Sequence, residues 1–115
     1  MAVVSFQGND GWFVARWAYY KLFHDIRRKF TLTHDEDYEL DQCKYLDGMH
    51  FALMKPGMRN KIMQMVKETI TEIIHDDANE LQGDLDEEGY RMYRGRLPEL
   101  LGYIQKYENA EWPEE

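Results

Sequence analysis

From Trp12 to Phe30 apolar side chains recur at about 100° per residue, the angular step of an α-helix. They fall on two faces rather than one. Trp12, Ala15, Tyr19, Leu22, Phe23, Ile26 and Phe30 share the first. Phe13, Trp17 and Tyr20 form the second, and His24 continues the row. A helix with two such faces is packed centrally between neighbours, or is buried on one side and offered to a partner on the other. The density of aromatics on the second face favours burial, under the N-terminal segment or under the tail that carries Trp112, because exposed aromatics at that density promote aggregation. The alternative outcome is a protein-binding or self-association surface.

Further helices follow. Thr33 and Glu36 have the capping-box spacing and open a second helix that runs to about Met54. Tyr38, Tyr45, Leu46, Met49, Ala52 and Leu53 share one of its faces. Gly48 inside that helix costs roughly 1 kcal/mol against alanine and predicts a kink or a close helix approach. Lys55-Pro56-Gly57 breaks the chain. A third helix starts near Met58, with Met58, Ile62, Met65, Val66, Thr69, Ile70 and Ile73 in one stripe. Its period fades from His75 and stops at Gly83. Asp84 to Gly95 reads as a loop or a short helix. Leu97-Pro98-Glu99 then begins the last helix, with proline near its first turn.

Val3, Val4 and Phe6 have β character, but one short piece without a partner strand makes no sheet. The predicted fold class is therefore all-α. It is a compact bundle of about four helices in one domain over residues 1–115. Residues 1–11 form a short irregular N-terminus and residues 108–115 an acidic tail.

Composition narrows the function. The chain has 115 residues, 43% of them hydrophobic and 31% charged, which is the composition of a folding chain. Its net charge of -8 repels phosphate backbones and disfavours direct binding to nucleic acid or an anionic membrane. An acidic balance favours a basic protein or a divalent cation instead. Cys43 is the only cysteine, so no intramolecular disulfide forms. With no bilayer-length or signal-type apolar run, the expectation is a cytoplasmic protein in a reducing compartment.

The candidate chemistry is mostly acidic. Asp47 with His50, and Glu72 with His75, have the carboxylate-x-x-His spacing used by dimetal bundles. Both pairs lie away from the apolar stripes and should be solvated. Asp84-Leu85-Asp86-Glu87-Glu88-Gly89 resembles the first half of an EF-hand calcium loop. Asp84, Asp86 and Glu88 stand at the first three acidic positions and Gly89 at the turn. The second half departs: Gly95 stands where a bidentate carboxylate belongs, and Arg91 where an apolar residue is usual. Residues 34–41 carry five carboxylates in eight positions. Asp37 and Asp41, one turn apart, repel unless a cation or a basic partner offsets them. Cys43 falls on the polar side of helix two. Met49, Met54, Met58, Met63 and Met65 have the spacing of core residues. Ser5 is the sole serine, no hydroxyl residue has a histidine and an acid beside it in sequence, and no glycine-rich phosphate loop is present.

These features predict a non-enzymatic protein-binding module, of inhibitor, immunity or adaptor type, that docks a basic protein. Phe13, Trp17, Tyr20 and His24 supply contact area, and Asp35, Asp37 and Asp41 steer association. The same aromatic face is the route to a homo-oligomer. The alternative is a binder of Ca2+ or another divalent cation, through Asp84, Asp86 and Glu88 or through Asp35, Asp37 and Asp41. A metalloenzyme fits worst, because its carboxylates face outward.

Overall fold

A computed structural model of the chain describes residues 1–113. Four α-helices account for most of it, and with a 3-10 turn they make 61% of the described residues helical. The all-α expectation is nonetheless wrong. Three short strands form a mixed sheet in the order β2-β1-β3, so the fold is α+β.

The N-terminal residues show why. Strand β1 spans Ala2–Ser5 and β2 spans Gly11–Val14. Side chains alternate along each: Ala2, Val4, Trp12 and Val14 are buried, while Phe13 points outward. The two strands pair antiparallel, Ala2 opposite Val14 and Val4 opposite Trp12. Phe6 N–H donates to the Asp10 carbonyl at 2.9 Å, and Asp10 N–H to the Gln7 carbonyl at 3.1 Å. Gly8 supplies the left-handed backbone that this turn requires, at φ 58°. The residues taken for the first turn of helix one are thus a strand, and helix α1 covers Arg16–Lys29.

Helix two is also shorter than expected. The capping box is present: Glu36 N–H donates to Thr33 Oγ1 at 3.2 Å, and Thr33 N–H to Glu36 Oε1 at 2.9 Å. Helix α2 then runs His34–Tyr45 and stops. Asp47 adopts a positive φ of 54°, and Gly48–His50 become strand β3, parallel to β1. Gly48 serves this strand and is not a helix kink. A Cβ there would lie 2.4 Å from His50 Nε2, so the imidazole fills the space a side chain would need. A 3-10 turn, Phe51–Leu53, leads into α3 at Pro56–Ile74, with proline in its first turn. The α3 stripe is buried from Ile62 to Ile73, and Met58 at its start is half-buried. Helix α4 spans Glu87–Tyr107 and starts ten residues before Leu97, so most of the segment read as a loop or a short helix belongs to it, and Pro98 lies inside it. Its cap is Asp86, whose carboxylate accepts from Gly89 N–H at 2.7 Å.

Trp12, Tyr19, Phe23, Phe51, Tyr90 and Tyr93 are the largest aromatics of the core, which α3 and α4 complete. Arg59 is buried as well. It donates to the carbonyls of Phe51 and Met54, at 2.8 and 2.9 Å, and lies 4.5 Å from the Trp112 ring centroid. The described part of the tail folds back on the hairpin, where Gln7 Nε2 donates to the Glu111 carbonyl at 2.8 Å. Residues 114 and 115 of the predicted tail lie outside the described residues. Among the described residues, no helix is long and apolar enough to cross a membrane.

Candidate functional site

The second aromatic face is not covered. Phe13, Trp17 and Tyr20 are 53%, 42% and 39% exposed, and His24 is exposed too. The expected covers are used elsewhere: the N-terminal segment pairs into the hairpin, and Trp112 packs on Tyr107 with ring centroids 5.6 Å apart.

These residues do not form one patch. Phe13 lies on the outer face of β2, its ring over Gly11. Tyr20 borders a hollow of about 550 Å³ between α1 and α2, where the Lys44 ammonium stands 5.1 Å from its ring centroid. Trp17 lines a different groove of about 390 Å³, between the β2–α1 junction and α4. Val14, Ala18 and Tyr93 are the buried residues of that groove. Met92, 56% exposed, lines it from α4, and Arg91 and Arg96 lie along it. Gly95 leaves the α4 wall bare beside them. The walls are tied together. Trp12 Nε1–H donates to the Arg96 carbonyl at 2.9 Å, and the Arg96 guanidinium donates to the Phe13 carbonyl at 2.6 Å. These two bonds fix β2 against α4 at the groove.

Some of the acidic candidates have internal partners. Arg27 of α1 pairs with both Asp37 and Asp41, the latter at 2.8 Å, and this offsets their repulsion. Asp35 is exposed in the first turn of α2, where the helix dipole favours an anion. Glu72 bridges Lys29 and Arg28, at 2.9 and 2.8 Å. Asp86 caps α4, Glu88 sits in its first turn, and Asp84 precedes both in the loop. Among the described residues, no three His, Cys, Asp or Glu side chains gather in an arrangement that could hold a metal ion. In the carboxylate-x-x-His pairs, Asp47 pairs with Arg16 at 2.8 Å and His75 Nδ1 bonds to the Thr71 carbonyl at 2.8 Å, while Glu72 and His75 border one hollow.

Sequence reasoning missed one contact. Ser5 Oγ and His50 Nδ1 lie 2.6 Å apart, because Ser5 and His50 are register partners in the parallel β1–β3 pair. Only knowledge of that pairing could have found it. Among the described residues no carboxylate bonds to the His50 ring, so the pair has the geometry of a strand-register contact. Cys43 is buried, not on a polar face. Burial, with Glu39 nearby, pushes its thiol up to about 12, so little thiolate exists at neutral pH.

A polar cluster beneath α4 holds the α3–α4 connection. Asp25 is fully buried and accepts from Lys21 Nζ at 3.0 Å and from the Tyr93 hydroxyl at 3.1 Å. Lys21 also donates to the Leu81 carbonyl at 2.9 Å. Asp76 accepts from the Tyr90 hydroxyl and from the amides of Leu81 and Glu80. Burial pushes the Asp76 carboxyl up, but these donors outweigh it and hold it below its ordinary value. Glu72 is lowered by Lys29 and Arg28, and Asp10 by Lys106 and Tyr107. Carboxyls lowered in the folded chain stabilise it above their unfolded values, and that contribution disappears as pH falls through the folded ones. The melting temperature should therefore be nearly level from pH 7 to 5 and drop below about pH 4. Asp76→Asn should make the drop shallower in a thermal series followed by circular dichroism. A melting temperature unchanged down to pH 2 would mean that these pairings are absent in solution.

Comparison of the chain with protein-family models, with curated proteins and with solved structures finds no match. The fold and this surface thus define a small α+β protein with an open, partly apolar groove, and likeness adds nothing to that.

Proposed function

We propose that this protein is a protein-binding module, of inhibitor, immunity or adaptor type, that docks its partner through the groove between the start of α1 and α4. The observation that carries the reading is the exposure of Trp17 and Met92 along a groove whose walls are fixed by the Trp12–Arg96 tie. An open aromatic beside an apolar floor is a standing cost in water, recovered when a partner covers it. Tryptophan at the centre of an interface commonly supplies about 2 kcal/mol or more of binding energy, and methionine adapts to the shape of what it meets. Fixed walls lower the ordering cost of association. A second copy of the chain is the other occupant that the groove allows.

A photo-reactive residue placed at Met92 tests the proposal. It should cross-link one discrete partner, and Trp17→Ala should abolish the product. The same group placed at Tyr38, exposed on α2, should give none. Equal products from both sites, or a product indifferent to Trp17→Ala, would contradict it. A cross-linked product of twice the chain mass would identify a second copy.

A further inference from the structure

Resting on that reading, we infer that the partner presents an acidic amphipathic segment to the groove, with an apolar side chain between Trp17 and Met92 and carboxylates on Arg91 and Arg96. The chain carries a net charge of -8, yet the residues lining this groove include two guanidinium groups and no carboxylate. Most cations on α1 are already neutralised. Arg16 pairs with Asp47, Arg27 with Asp37 and Asp41, and Arg28 and Lys29 with Glu72. Arg91 differs: it is exposed at the groove, and among the described residues it has no ion pair.

Arg96 is held in place by the Phe13 carbonyl and shares Glu99 at a loose 3.4 Å. An incoming carboxylate can displace so long a contact without moving the backbone. Guanidinium forks match carboxylates in a bidentate way, so the pair fixes register as well as charge. A basic segment in the same groove would bring its own cations against Arg91 and Arg96. The overall negative charge opposes an acidic partner only at long range, and physiological salt screens that repulsion beyond about 8 Å. Of the three carboxylates that suggested a basic partner, Asp37 and Asp41 are occupied by Arg27, and Asp35 is exposed in the first turn of α2.

The test uses the full chain and two labelled helical peptides of about 18 residues, with helical spacing of 3.6 residues per turn setting their leucine and phenylalanine anchor row. One carries glutamate on both flanks of that row and the other lysine. Fluorescence anisotropy should show the glutamate peptide binding about tenfold tighter or more. Arg91→Glu should remove or invert that preference, and Trp17→Ala should weaken binding of the glutamate peptide. Arg91 makes no hydrogen bond among the described residues, so its variant should keep the parent melting temperature. Equal or tighter binding of the lysine peptide, still sensitive to Trp17→Ala, would overturn the acidic assignment and leave the groove as a docking surface. A preference unchanged by Arg91→Glu would also overturn the assignment. Binding of neither peptide, or binding indifferent to Trp17→Ala, would overturn the assignment and the docking reading together.

Discussion

Trp12→Ala is expected to lower folding stability by about 3–5 kcal/mol, the usual cost of deleting a buried tryptophan. Trp12 has no exposed surface, and its indole N–H donates to the Arg96 carbonyl at 2.9 Å. The Arg96 guanidinium lies 5.9 Å from the Trp12 ring centroid and reaches the Phe13 carbonyl. Removing the ring thus leaves a cavity and also loosens the tie between β2 and α4. For a domain of this size the total margin is about 5–15 kcal/mol, so the variant should be partly unfolded at 37 °C if the parent lies at the low end. Urea unfolding followed by circular dichroism measures the loss. A loss under about 1 kcal/mol would mean that the hairpin does not pack on α4.

Asp25→Ala should be comparably damaging, at about 3–5 kcal/mol, because it breaks a buried ion pair from one side. Lys21 would keep its charge beside the Leu81 carbonyl without its counter-ion, and Tyr93 would lose its acceptor. Asp25→Asn keeps an acceptor for Tyr93 and removes the charge, so it should cost less. Replacing both members, with Lys21→Met and Asp25→Ala, should recover part of the loss, since removing a buried pair entirely is often nearly neutral. A double-mutant cycle isolates the coupling between them. If Asp25→Ala costs under 1 kcal/mol, water reaches the cluster and the α3–α4 connection is not held by it.

The parts of the fold that could be read in sequence are those whose signals are local or long. The α3 stripe repeats through the 16 positions from Met58 to Ile73, and one strand cannot imitate that. The Thr33–Glu36 capping box lies within four positions and forms as expected. The sheet was hidden because its strands are only three or four residues long. Over so short a span Trp12 and Val14 satisfy the strand period, while Trp12 and Ala15 satisfy the helix period equally well. Strand β3 needed a partner 45 residues away, as the Ser5–His50 contact shows. Leu46 and Leu53, counted toward a helix face, are instead 68% and 83% exposed. Asp86, the cap of α4, was read only as part of a calcium loop.

The groove was half legible. Trp17 and Tyr20 belonged to a face that helical periodicity marks as spare. Arg91, Met92 and Arg96 were invisible as partners of that face, because their wall meets β2 only in the folded chain, with Phe13 and Arg96 separated by 83 positions. The sign of the surface was harder still. Counting carboxylates pointed to a basic partner, whereas pairing them shows Asp37, Asp41 and Glu72 occupied by cations of α1.

The most direct test of a docking role for Trp17 is a paired measurement on Trp17→Ala. Calorimetry would follow its affinity for the partner cross-linked from Met92, and urea unfolding its stability. The expected result is a stability loss under about 1 kcal/mol, as for a surface side chain, together with binding weakened by about 2 kcal/mol or more. A folding loss of about 3 kcal/mol or more, the signature of a core tryptophan, or an affinity equal to that of the parent, would contradict it.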